Sequence, residues 1–351
     1  MIDTIVWQKQ ELKQAAQTLK AGGLVAFPTE TVYGLGADAR STEAVASIFA
    51  AKGRPSDNPL IVHLASRSQL SELMGPCSRL AEELMERFWP GPLTIVLPVK
   101  PGSLSPLVTA GLPTVGVRIP DHPIALELLR LADVPVAAPS ANRSGRPSPT
   151  LASHVLEDLG GRMHGVIDGG ATGVGLESTV VELEGDRAIR VLRPGGVTIE
   201  ALKRAFPGIA VISDSEDGLA QPEQPRSPGM KYTHYAPKGE LTVVEGARES
   251  VAAHINGLAA AARQEGLTTG VLAFSEQAGE YKADLVLELG SESRLEEAAR
   301  LLYAHLRAFD EAGIARIWAE GCEPNGLGGA LMNRMRKAAG GRVLRLETPD
   351  K

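Results

Sequence analysis

Cysteine is nearly absent from this sequence: Cys77 and Cys322 stand far apart, in no CxxC pair and no metal-type cluster. That excludes a disulfide framework and a cysteine-built metal site, and it fits reduced thiols in a cytosolic setting. Aromatic side chains make up only 4% of the chain, and the formal net charge is -6. A dedicated nucleic-acid surface normally carries a basic excess and stacking rings, so no stable nucleic-acid complex is expected. A small anionic ligand needs only a few local cations and stays open. No run reaches the roughly 18 apolar residues of a membrane span, and the start, 1–13, has no basic-then-apolar signal pattern. The expectation is no membrane association and no targeting segment. Also missing are GxxxxGK[ST], GxGxxG opening a helix, GxSxG and HExxH. P-loop, dinucleotide, hydrolase-elbow and zincin readings therefore lack support.

What is present is a hydrophobic content of 43% over 351 residues, enough for a full core and in favour of two domains. Up to about residue 206, short β-type runs alternate with helical patterns. Strands are predicted at 24–27, 60–64, 93–97, 114–119, 136–139, 165–167, 179–183 and 189–192. Helices are predicted at 11–20, 42–51, 79–88, 123–131 and 151–159, with Asp121 and Thr198 where N-caps belong. Residues 1–212 thus read as a mixed α/β domain. Between 213 and 239 the periodicity disappears: an acidic run is followed by Pro222, Pro225, Pro228 and Pro237, a linker composition. Yet Lys231, Tyr232, His234 and Tyr235 crowd together there, which a plain tether has no use for. From 240 to 351 strands at 241–244, 270–274, 285–289 and 314–318 alternate with helices near 249–264, 295–309 and 331–338, the pattern of βαβ units and a small, largely parallel sheet.

The central stretch runs from Gly23 through Pro28-Thr29-Glu30-Thr31-Val32-Tyr33-Gly34-Leu35-Gly36-Ala37. It reads as a buried strand emptying into a loop whose glycines let backbone approach a ligand. Lys52 and Arg54 flank Gly53 at the end of a helix, either complementing its dipole or awaiting an anion. His63 closes an apolar strand. Arg118 lies within the β-branched run Thr114-Val115-Gly116-Val117-Arg118-Ile119, where burial demands an acid: an internal ion pair or a bound carboxylate. The loop from Pro139 to Pro149 is rich in hydroxyl and amide donors, Ser140, Asn142, Ser144 and Ser148 among them, of the kind that surrounds phosphate or ribose oxygens. Glu177-Ser178-Thr179 and Leu192-Arg193-Pro194-Gly195 add hydroxyls and a cation at strand ends, where ligands of open α/β sheets collect. Gly326-Leu327-Gly328-Gly329, ahead of a helix, either caps it or cradles an anion.

In this order, PTETVYGLGA, KGRP with NPL and a histidine, TVGVRIP, PSANRSGRPSPT, ESTVV, VLRPG and SPGMKYTHYAP resemble the YrdC-like domain. With the added C-terminal domain the chain is similar to the long, two-domain threonylcarbamoyl-AMP synthases. The resemblance implies a twisted mixed-sheet YrdC-like domain (1–212), a linker or lid over the active site (213–239) and a small Rossmann-like three-layer α/β domain (240–351). It implies a nucleotidyltransferase condensing L-threonine, bicarbonate or CO2 and ATP to threonylcarbamoyl-AMP and pyrophosphate. The product would go to a separate tRNA threonylcarbamoyl transferase acting at adenosine 37. Lys52, Arg54, Ser140 and Asn142 fall on the family's catalytic tetrad. Arg54, Asn58, Thr114, Ser140, Ser148, Arg193 and Tyr235 fall on its ATP contacts, and Thr31, His63, Arg118, the backbone at Ala138, and Ser178 on its threonine contacts. Mg2+ is expected with ATP, and no resident metal. Two rivals share the fold: an RNA-binding or ribosome-associated module, disfavoured by acidity and few aromatics, and a hydrogenase-maturation carbamoyltransferase, which needs zinc-finger cysteines this chain lacks.

Overall fold

The computed structural model describes residues 2–213 and 234–347. Most of the expected linker, 214–233, lies outside the described residues, and with it Lys231 and Tyr232. The described chain forms two compact units, 2–144 with 148–213, and 145–147 with 234–347.

The first unit is built on a mixed sheet of eleven strands. They are β1 (Ile5–Trp7), β2 (Val25–Phe27), β3 (Gly34–Asp38), β4 (Ile61–His63), β5 (Leu93–Pro98), β6 (Thr114–Arg118), β7 (Val136–Ala137), β8 (Gly165–Ile167), β9 (Thr179–Glu184), β10 (Ala188–Arg193) and β11 (Ala210–Ser213). Their order across the sheet is β1-β8-β2-β3-β7-β4-β6-β5-β9-β10-β11. Eight helices complete the unit: α1 (Leu12–Lys20), α2 (Thr42–Lys52), α3 (Leu70–Leu73), α4 (Arg79–Phe88), α5 (Pro106–Thr109), α6 (Pro123–Ala132), α7 (Ala152–Leu159) and α8 (Ile199–Ala205). Because side chains alternate across a strand, Val25 and Phe27 join one core with α1 and α6, while Leu24 and Ala26 join the other with α2, α4 and α7.

Three sequence expectations change. Gly34 to Ala37 is no loop but strand β3, antiparallel to β2 and β7. A Cβ on Gly36 would come within 2.8 Å of the Phe27 ring and of Val136, so this glycine makes room between strands rather than bending the chain. Asp121 does not cap α6: Pro123 opens the helix, its ring sets the start, and His122 is the extended residue before it. Strands β1 and β11, three and four residues long at the sheet edges, carry too little pattern to be read in advance. Thr198 does cap α8, accepting from the Ala201 N–H.

The second unit has a five-stranded sheet, parallel throughout, in the order β14-β13-β15-β12-β16. The strands are β12 (Glu240–Glu245), β13 (Thr269–Ala273), β14 (Leu285–Glu288), β15 (Arg316–Glu320) and β16 (Val343–Arg345). Helix α9 (Arg248–Gln264) packs with Val244, Val271, Ala273 and Trp318. Helices α10 (Leu295–Glu311) and α11 (Leu327–Ala338) pack on each other, with α11 also against β12. This is a Rossmann-like three-layer arrangement. Gly326 is the N-cap of α11, and Gly328 sits in its first turn, where a Cβ would collide with the Glu323 carbonyl.

Candidate active site

Strands β4 and β6 carry the centre of the site between them. They run parallel with Ile61 opposite Gly116, Val62 opposite Val117 and His63 opposite Arg118. Val62, Val115 and Val117 face the core beneath; the alternate residues Ile61, His63, Thr114, Gly116 and Arg118 therefore share the other face. Thr94 of β5 joins them, since a Cβ on Gly116 would meet both Thr94 and Ile61. Ile61, Val96, Val180 and Leu192 form a small apolar cluster on this same face. Gly116 keeps the face low midway between Thr114 and Arg118.

The two substrate sets named from the sequence fall largely at opposite ends of this strand pair. Asn58 lies ahead of β4 and Thr114 opens β6, whereas His63 and Arg118 close the same strands. At about 3.3 Å per residue, Thr114 and Arg118 are roughly 13 Å apart. The sequence expectation put such residues at strand ends: His63, Arg118 and Arg193 do end β4, β6 and β10, and Ser178 stands just ahead of β9.

At the first end, α2 finishes with Gly53 in the left-handed region at φ 62, which turns the chain so that Arg54 follows directly. Lys52 is buried, 2% exposed, and its Nζ donates to the Ser140 carbonyl (2.5 Å), the Asn142 carbonyl (2.6 Å) and Asn142 Oδ1 (3.3 Å). The Ser140 hydroxyl donates to the same Oδ1 at 2.6 Å. Burial, and after it the field of Arg54, push the Lys52 pKa well below its ordinary value. Arg54 Nη2 donates to the Asn58 and Pro59 carbonyls at 3.3 Å each. Lys52, Ser140 and Asn142 are thus hydrogen-bonded together, and Arg54 stands beside them, within electrostatic reach of Lys52. Asn58 is fully buried, yet neither its Oδ1 nor its Nδ2 finds a hydrogen-bond partner among the described residues. Buried polar groups left so are uncommon, and they mark where a ligand would bond.

At the other end Arg118 is 3% exposed. Its Nη1 donates to Thr31 Oγ1 at 3.1 Å and its Nη2 to Glu30 Oε2 at 2.7 Å. Of the two partners that burial allowed, the structure shows the internal acid, Glu30. Burial lowers the Arg118 pKa, with Glu30 opposing the shift. His63 is held neutral: burial first, then Arg118, take its pKa well below the usual histidine range, and its Nδ1 lies 3.3 Å from the Ile61 carbonyl. The Ala138 N–H donates to that same carbonyl, so the backbone at Ala138 lies between the two ends.

Loops 138–150 and 172–178 join the ends. Ala141 N–H donates to the Tyr33 carbonyl, Tyr33 N–H to Pro149, Thr172 N–H to Thr150, Val174 N–H to Glu30 and Gly175 N–H to Thr31. Ser148, fully buried, donates to Glu177 Oε1 at 2.6 Å, and Glu177 is within electrostatic reach of Lys52. Ser178 shares a hydrogen bond with Thr94 at 2.8 Å. Arg193, assigned to ATP, grips the threonine-assigned Ser178, its Nε and Nη2 donating to the carbonyl and its Nη2 to the hydroxyl. Tyr235 belongs to the second unit, with left-handed backbone at φ 68, its ring 5.2 Å from that of Tyr303 and under the Arg334 guanidinium. The sequence reading gave no role to Glu30 or Glu177; the available signal was an acid at each strand end opposite a buried arginine and serine.

The family described as "Telomere recombination" matches residues 17–195, and that described as "Threonylcarbamoyl-AMP synthase, C-terminal domain" matches 197–340. The threonylcarbamoyl-AMP synthase of Bacillus subtilis (strain 168) is 52% identical over 98% of this chain and 97% of its own length. That of Schizosaccharomyces pombe is 40% identical over 94% and 88%. A crystal structure of P. abyssi Sua5 complexed with L-threonine matches with a TM-score of 0.91 at 46% identity, over 98% of this chain and 100% of that one.

Proposed function

The chain belongs to the threonylcarbamoyl-AMP synthase family, and on that premise we propose that it is an L-threonylcarbamoyladenylate synthase, a nucleotidyltransferase. Its substrates are L-threonine, bicarbonate or CO2, and ATP; its products are threonylcarbamoyl-AMP and pyrophosphate. The observation that supports this best is the division of one sheet face. A cation-rich end holds Lys52, Arg54, Ser140, Asn142, Asn58 and Thr114, and an end scaled to an amino acid holds Thr31, His63, Arg118 and Ser178.

Threonine's amine adds to CO2 with loss of a proton. One oxygen of the resulting carbamate then bonds to the α-phosphorus while the bond to the pyrophosphate oxygen breaks. The carbamate is already anionic, so the reaction needs no protein nucleophile, only alignment and positive charge. In this reading Arg118 holds the threonine carboxylate and Asn58, Thr114 and Ser148 receive the nucleotide. Lys52 fixes the 140–142 loop and, with Arg54, sets the field at the transferring phosphate. Arg193, hydrogen-bonded to Ser178, adds a cation for the nucleotide.

No three His, Cys, Asp or Glu side chains converge on an ion site among the described residues. The proposed Mg2+ is carried on the triphosphate, since Mg2+ usually takes one or two carboxylates and substrate phosphates; Asp158 and Glu177 are the acids within electrostatic reach of Lys52. The ion supplies charge neutralisation when bound. Among the described residues no helix is long and apolar enough to cross a membrane; the proposed setting is the cytoplasm, with the product passed to a separate tRNA-modifying transferase. Incubation with ATP, labelled bicarbonate and threonine tests the assignment. Pyrophosphate release should require both co-substrates, and release independent of threonine would refute it.

A further inference from the structure

The Glu30–Arg118 pair is half satisfied. Their side chains are 12% and 3% exposed and meet through one contact, Nη2 to Oε2. Glu30 Oε1 and Arg118 Nε are buried without a hydrogen-bond partner among the described residues, as is Nδ1 of His122, which lies in the field of Glu30. A buried ion pair offsets its desolvation only when its remaining donors and acceptors are filled. A pair built solely to neutralise Arg118 would be expected to use both oxygens of the carboxylate; this one leaves a cationic N–H and a carboxylate oxygen without partners among the described residues.

We propose that Glu30 is the receptor for the α-ammonium of the amino-acid substrate, so that Glu30 and Arg118 together form a clamp for a zwitterion. This rests on the threonine reading of the site. In the ligand-free protein the two groups hold each other. An α-amino acid carries both opposite charges on adjacent atoms, so its carboxylate can take Arg118 while its ammonium takes Glu30, turning one incomplete ion pair into two. Thr31, bonded to Arg118 and to Thr29, keeps the guanidinium aimed during the exchange. The backbone of Glu30 is itself fixed, its carbonyl accepting from Val174 N–H. Carbamate formation takes two protons from the ammonium, one before and one after the nitrogen bonds to CO2, both passing to water; the nitrogen then carries no positive charge and gives up its contact with Glu30, while the substrate carboxylate stays on Arg118. Such a clamp selects for a free α-amine, a property that the contacts assigned from the sequence do not provide.

The test is calorimetric, on the full-length protein and its Glu30→Gln variant, with two probes: L-threonine and 3-hydroxybutanoate, which keeps the carboxylate and hydroxyl but lacks the amine. Glutamine preserves the shape and can still accept from Arg118. The expected result is a roughly ten- to hundredfold weaker Kd for threonine, with that of 3-hydroxybutanoate changed less than about threefold. In parallel the threonine KM should rise while the ATP KM holds, and the ligand-free melting temperature should fall somewhat because buried Arg118 loses its anionic partner. Equal weakening of both probes, or a rise in both KM values, would mean that Glu30 only braces Arg118, and unchanged threonine affinity would likewise overturn the clamp. Failure of the unmodified protein to bind threonine would overturn the threonine reading itself.

Discussion

His63 and Arg118 are register partners, ending the parallel strands β4 and β6 side by side on one face. The imidazole stays neutral because it is buried and because the guanidinium stands next to it. A neutral ring beside a fixed cation can accept or donate to an amino acid without repelling its ammonium, whereas a charged ring would add a second cation to a buried site.

Replacing Arg118 by Ala removes the group proposed to hold the threonine carboxylate. The threonine KM should rise by roughly a hundredfold or more, the loss expected when one partner of a buried charge pair is cut away, while the ATP KM moves less than about threefold. Steady-state kinetics with each substrate varied in turn decide this; equal effects on both would refute the role. The variant should also melt lower, since Glu30 is left as a buried charge without its partner.

Asn58 offers the opposite trade. Its amide is buried with both polar atoms unpartnered, so Asn58→Ala gives up no internal hydrogen bond and relieves a desolvation penalty of about 1–3 kcal/mol, against a small cavity. The ligand-free melting temperature should hold or rise, and the ATP KM should increase about tenfold. A lower melting temperature with unchanged ATP kinetics would make Asn58 a structural residue only.

The buried histidine sets a direction for acid stability. Because His63 has a folded pKa well below its ordinary value, the unfolded chain binds the extra proton as pH drops beneath that ordinary value, about 6.5. The contribution is present above 6.5 and lost below it, at up to about 1.4 kcal/mol per pH unit. His122 and His305 shift the same way, so the informative quantity is the difference between the wild type and His63→Gln. Urea midpoints measured from pH 7.5 down to 5 should fall more steeply for the wild type; parallel slopes would show that His63 is protonated in the folded state.

The sequence expectation of a lid at 213–239 is tested by truncation, and the structure fixes where to cut. Ending the chain after Phe206 would strip β11 from its parallel pairing with β10; ending it after Ser213 keeps that strand. The shorter protein should remain folded on its own core but synthesise less product, or release AMP by hydrolysis. Full activity would show the segment to be a tether.

Much of the fold was legible because long amphipathic helices and β-branched runs repeat at their own periods: α4 lies on the predicted residues and β6 within one of them. Strand β3 was hidden because two of its five residues are glycines, which signal a turn unless one knows that Phe27 and Val136 press against Gly36. The Lys52 cradle could be assembled from motif order, but not its bonding, since Ser140 and Asn142 are some ninety positions away and act partly through carbonyls, which no side-chain pattern records. Glu30 stands in the PTETVYGLGA motif with no role legible from the sequence, for a similar reason. Its meaning depends on Arg118, whose side chain is brought to it by strands remote in the chain.

Strand β6 also works as a ruler. Thr114, Gly116 and Arg118 face the same way only because they sit at every second position, so the distance between a nucleotide and an amino acid gripped at its two ends is counted in residue pairs. Inserting one residue would swing the guanidinium into the hydrophobic side, and inserting two would restore its facing but carry it about 7 Å too far. Evolution can therefore adjust the reach of this site through the loops that flank the strand, and hardly at all through its length.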